Sequence, residues 1–147
     1  LPAGTIRFYE KDKSGNLQFI GSNRINNTAK EDTLRLNLGQ AFNITASGKI
    51  TANQRKELNQ TMLPNKCFRV KFQRSYDVEI TVNNAEDSDN TIILSQNFPQ
   101  DYKIIKENFK SVEKNHSERR WEISAAKNSK ETLKYTVEIT YTENRCD

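Results

Sequence analysis

Residues 68–82 constrain this chain more than any other stretch. Phe68, Val70, Phe72, Tyr76, Val78, Ile80 and Val82 all share one parity, and only Arg74 interrupts the set. A helix would scatter these side chains around its axis, whereas a strand places them on one face. The segment therefore reads as a half-buried β-strand. Unbroken, it would run ~50 Å at ~3.4 Å per residue, which is long for one strand. A bulge or bend is therefore expected near Arg74 and Ser75.

The same alternation recurs along the chain. Ile6 and Phe8, a polar turn over residues 11–16, then Leu17, Phe19 and Ile20 read as a β-hairpin across residues 5–20. A polar connector containing Asn26, Asn27, Thr28, Lys30, Glu31 and Asp32 leads to Leu34, Leu36 and Leu38, and Gly39 breaks that run. Phe42, Ile44 and Ala46 form a further short piece. Residues 83–90 read as a polar turn. Residues 91–98 and 102–107 read as strands joined through Pro99, Gln100 and Asp101. Trp121, Ile123 and Ala125 alternate, and Leu133 to Tyr141 forms the last strand. Residues 52–63 admit two readings. They are rich in helix formers ahead of Pro64, yet their apolar stripe of Ala52, Leu58, Met62 and Leu63 is weak, so a short helix and an extended hairpin arm both remain open.

Many short strands, each with one apolar face, predict a single all-β domain over residues 1–147. The expected form is an immunoglobulin-like antiparallel sandwich. Phe72, Tyr76, Val78, Ile80, Trp121, Val137 and Ile139 are its expected core, and truncating Phe72 or Trp121 should cost ~3–5 kcal/mol.

Composition excludes several functions. The 147 residues contain no run near the ~18 apolar residues of a membrane-spanning helix. There is no Gly-rich phosphate loop, and one histidine with two cysteines cannot supply a four-ligand zinc site. No cofactor or metal is expected. The net charge of +4 is uneven. Residues 1–74 hold 13 basic and 5 acidic side chains, and residues 75–147 hold 10 and 14. Such a field steers an acidic partner, or else two strand sets of opposite sign neutralise each other.

His116 is the only candidate general base. It lies in a polar loop with no nucleophile motif, so it reads as a solvated loop residue and the domain as non-enzymatic. Glu86, Asp87, Ser88, Asp89 and Asn90 are oxygen-rich but lack the spacing of a calcium loop, so they read as a turn. Arg69, Lys71 and Arg74, with Arg55 and Lys56 as additions, form a candidate basic stripe. Phe68, Phe72 and Tyr76 belong to the core parity and are not free to stack on bases, which argues against nucleic acid. Trp121 reads as core rather than as a sugar platform because it shares the parity of Ile123.

The order of the pieces resembles a known family. Leu1 to Tyr9, then Gly21, Arg24, Ile25 and Thr28, then Leu34 to Ala46, are similar to the C-terminal domain of mucoidy-inhibitor-A-like bacterial proteins, the domain of unknown function 4139 family. Tyr76 to Asn84, Arg120 to Ile123 and Thr132 to Tyr141 fit the rest of that pattern, and residues 47–66 depart from it. The resemblance implies a β-sandwich forming the C-terminal part of a longer bacterial protein. The start at Leu1 is read in the same way, as a processed chain or an excised domain. The resemblance also implies a periplasmic, envelope-associated or secreted address, and it brings no catalytic residues. The expected function is a structural or protein-interaction module, whose partner is another protein or another domain of the same chain. A carbohydrate- or anion-binding module using the basic N-terminal half is the alternative.

The resemblance supplies no cysteine pair, and Cys146 lies beyond the last expected strand, so Cys67 and Cys146 are expected as free thiols. Lys66 and Arg69 would favour a thiolate at Cys67, but a structural or incidental cysteine is the stronger reading. A disulfide is the alternative, open only if antiparallel neighbours bring the two strand ends together.

Overall fold

The computed structural model describes residues 5–24, 32–38, 41–99 and 101–146, with backbone alone for Asp32, Asn37, Leu38, Ala41 and Phe42. The connector expected over residues 26–31, the break at Gly39, Gln100, and the side chains of Leu38 and Phe42 lie outside this description.

Ten antiparallel strands form two five-stranded sheets. They are β1 (Thr5–Lys11), β2 (Leu17–Arg24), β3 (Asp32–Leu38), β4 (Ala41–Met62), β5 (Cys67–Asn84), β6 (Asn90–Asn97), β7 (Tyr102–Glu107), β8 (Val112–Glu113), β9 (Glu118–Ala125) and β10 (Ser129–Cys146). The first sheet has the order β2-β1-β6-β9-β8 and the second β3-β4-β5-β10-β7. The fold is an all-β sandwich, as the alternation requires.

The apolar parities of both sheets meet in one core. Trp121 stacks on Tyr135 with ring centroids 4.6 Å apart, and Phe98 meets the two rings edge-on at 6.4 and 6.3 Å. Every residue of the expected core is buried. Phe72, however, lies outside the contiguous cluster that ends on β5 at Tyr76. Trp121 is 1% exposed, so it offers no sugar platform; its indole N–H donates to Glu107 Oε2 at 3.1 Å.

The expected bulge near Arg74 is on the neighbouring strand instead. β5 pairs with β10 over its full length with no register shift. The shifts fall on β4, between Ile50 and Ala52 and between Glu57 and Asn59. β5 is hydrogen-bonded on both sides, so a bulge there would break two ladders. Among the described residues β4 is paired with β3 only as far as Gly48 and is an edge beyond it, where a bulge breaks one ladder. Arg74 needs no bend to be accommodated. It sits beyond the core, where its Nη1 donates to Asn53 Oδ1 at 3.1 Å.

Residues 52–62 resolve to the extended reading. Their helix formers lack an apolar stripe broad enough to hold a helix onto a core, and ladder bonding to β5 satisfies their backbone. The chain reverses through Leu63 and a single 3₁₀ turn at Pro64–Lys66, with Asn65 and Lys66 at φ 71° and 60°. The last strand does not stop at Tyr141. β10 continues to Cys146, because β5 offers it a paired template all the way to Cys67.

Candidate functional site

Three strands of the second sheet run on past the core. From Ser75 back to Cys67, β5 extends about 30 Å at ~3.4 Å per residue, flanked by residues 54–62 of β4 and 138–146 of β10. We call this three-stranded extension the arm.

Cys67 and Cys146 end the arm as directly paired residues, with Cα atoms 4.2 Å apart, and they form a disulfide. The free-thiol expectation is thereby overturned. The tail expected beyond the last strand is itself the strand that delivers Cys146 to Cys67. With both sulfurs bonded, Cys67 is not a reactive thiolate.

The expected basic stripe is divided between two faces. Direct pairing keeps Arg69 and Lys71 on the outer face with Cys67, while Arg74 lies on the inner face with Val70 and Phe72. Lys56, paired with Gln73, joins the outer set; Arg55, paired with Arg74, joins the inner one. On the inner face the Arg55 guanidinium lies 3.8 Å from the centre of the Phe72 ring and that of Arg145 lies 5.0 Å away; Tyr141 packs beside Phe72 at 5.6 Å. Phe72 is therefore buried beneath cations rather than within the sandwich. Residues 54–75 and 138–146 hold seven basic and three acidic side chains, a net of +4. That equals the whole chain's charge, so the remainder sums to zero.

A second feature lies on the outer face of the first sheet. Register places Lys11, Tyr9, Ile93, Ser95, Glu122 and Arg120 on that face. Phe19 is 55% exposed and Val112 60%. Phe19 and Tyr9 meet edge-to-face, 5.7 Å apart with planes at 69°. Sequence reading treated Phe19 and Ile20 alike as strand residues, although two adjacent apolar residues cannot both face inward. The register shift opposite Phe8 and Tyr9 sends Ile20 in and Phe19 out.

Glu118 marks the end of this face. The Ser95 hydroxyl donates to Glu118 Oε2 at 2.6 Å and Arg120 Nε donates to the same oxygen at 2.6 Å. These bonds, the serine's above all, hold the Glu118 carboxyl below its ordinary value of 4.5. Glu10 moves the opposite way, raised by burial and by the nearby Asp12 and Glu86 carboxylates. In the core, burial raises Tyr135, whose hydroxyl is bonded to Gln96.

The remaining candidates lie in turns. His116 is exposed in the β8–β9 turn, where Asn115 Oδ1 accepts bonds from Ser117 N and Glu118 N, both at 3.0 Å. The Glu86–Asn90 turn uses its oxygens on the facing turn: Asp89 Oδ1 accepts from Lys127 N at 2.9 Å, and the Glu86 carbonyl accepts from Asn128 N at 3.1 Å. Fully buried Asn84 ties the two turns together by donating to the Ser88 and Ala125 carbonyls at 3.0 and 2.9 Å. Among the described residues no cluster of His, Cys, Asp or Glu is placed to hold a metal, and no helix is long and apolar enough to cross a membrane. No protein family, curated protein or solved structure matches the chain.

Proposed function

We propose that this chain is a non-catalytic protein-interaction module of a larger exported bacterial protein, and that the arm is the element it works through. The observation that carries this reading is the disulfide at the arm's far end. Beyond the core the arm buries Val70 and Phe72 on one face only, while residues 54–62 and 142–146 are exposed and lose backbone entropy on ordering, so packing alone does little to hold an extension of this length. A crosslink there keeps a thin, three-stranded structure rigid where packing does not. It also fits an oxidising compartment such as the periplasm or the cell exterior, in keeping with the setting that the family resemblance implies. Rigid strands with an exposed polar face, and a β4 edge unpaired among the described residues, offer main-chain and side-chain contacts to another protein or to another domain of the same chain.

Site-specific photocrosslinking in the full-length protein tests this. A benzophenone side chain at Thr61 or Asn144 should give discrete adducts with a protein or with another domain, and one at Lys130 on the body should not. Equal adducts from all three positions, or none from the arm, would contradict the reading. So would a hydrolytic activity of the purified domain that His116→Ala abolishes.

A further inference from the structure

The first sheet carries a trough of about 460 Å³ across its outer face, between the β1–β2 turn and the short edge strand β8. We propose that this trough binds an extended acidic polypeptide segment with apolar side chains at alternate positions. The proposal shares with the reading above only the premise that the domain binds protein, and it concerns a surface separate from the arm.

Charge argues first. Four cations line the trough, Lys11, Lys110, Lys114 and Arg120, against one carboxylate, Glu122. Two of the four are already engaged, Lys11 with Glu122 at 2.9 Å and Arg120 with Glu118 at 2.6 Å. Lys110 and Lys114 are exposed, and no carboxylate among the described residues lies within ion-pair distance of either. The trough is therefore a positive region on a body whose charges sum to zero. Its cations come from both halves of the chain, so the division of charge along the sequence does not reveal it.

Shape and chemistry select the partner. Ile93 is the apolar floor, and Leu17 and Val112 stand on either side, 39% and 60% exposed. These side chains are aliphatic. The neighbouring aromatic pair is edge-to-face, so it presents no continuous plane on which bases or sugar rings stack. A concave aliphatic trough receives side chains, while surrounding ammonium groups pair with carboxylates. A strand-like segment satisfies both, since its alternate side chains fall on opposite faces. Five strands at ~4.8 Å spacing give a width of about 19 Å, which about six extended residues cross.

The test uses the intact chain and a labelled peptide of about twelve residues alternating glutamate and valine, read by fluorescence anisotropy at about 0.05 M and about 0.5 M salt. Glutamate–serine and lysine–valine peptides, vesicles containing phosphatidylglycerol, and polygalacturonate are the comparisons. The glutamate–valine peptide should bind best and weaken with salt. Lys110→Glu with Lys114→Glu should weaken it about tenfold or more, and Val112→Ser about threefold, by loss of exposed ion pairs and of one aliphatic contact. Lys103→Glu with Lys106→Glu on β7 should change nothing. All the altered side chains are exposed, and circular dichroism verifies that the variants fold. Undiminished binding in the Lys110/Lys114 variant, equal binding of the glutamate–serine peptide, preference for vesicles or polygalacturonate, or no peptide binding would each overturn the proposal. Arm crosslinks from Thr61 that persist in the Lys110/Lys114 variant separate failure of this site from failure of the arm.

Discussion

Two buried tyrosines make opposite predictions. The Tyr135 hydroxyl is bonded to buried Gln96, so Tyr135→Phe strands an amide in the core and should cost about 1–3 kcal/mol. The Tyr76 hydroxyl is equally buried and finds no partner among the described residues, so Tyr76→Phe should leave stability unchanged or raise it by up to about 1 kcal/mol. Denaturant midpoints of the two variants distinguish these outcomes. Trp121→Ala should cost ~3–5 kcal/mol, because the ring contacts Tyr135 and Phe98 at the centre of the core. Phe72→Ala should cost less, about 1–2 kcal/mol, because its cover includes the exposed side chains of Arg55 and Arg145. Parity revealed that Phe72 is buried but not by what, since the end of the facing sheet is a tertiary fact. Glu118 gives a pH prediction. Its folded pKa is depressed, so its contribution is fully present above its ordinary value of 4.5 and is lost as pH falls through the lower folded value. Wild type should thus lose more stability than Glu118→Gln on acidification through that window. The comparison cancels Glu10, whose raised pKa acts with the opposite sign.

At the scale of elements, strands were legible wherever one face is buried. The hairpin of β1 and β2, the long β5, and the pair Trp121 and Ile123 on β9 all follow from period-two alternation. Alternation fails where neither face is buried. Residues 54–62 of β4 are exposed throughout, so only their ladder to β5 makes them a strand, and a ladder leaves no mark on a single segment. For the same reason β10 outruns its visible pattern: Thr142 to Cys146 are exposed, and pairing with β5 alone extends the strand to the disulfide. The trough leaves no mark in the sequence because Lys110 and Lys114 meet Lys11 only through the order of strands in the first sheet. Cys146→Ser should lower stability by about 2–4 kcal/mol, the usual range for a crosslink closing a long loop. Equilibrium unfolding of the variant beside the oxidised wild type checks this.

The whole molecule divides into a neutral sandwich and an arm that carries the net charge of +4, with the disulfide as the arm's staple. Native-state hydrogen exchange on the oxidised and reduced domain, with thiol counting on the same samples, tests that division most directly. The oxidised protein should show no free thiols under denaturing conditions and should protect backbone amides in residues 67–75 and 139–146. Reduction should release two thiols and speed exchange in those segments by about a hundredfold, as local opening of the arm becomes accessible, while residues 76–84 stay protected. Two thiols before reduction, or equal protection of arm and sandwich in both states, would contradict the account.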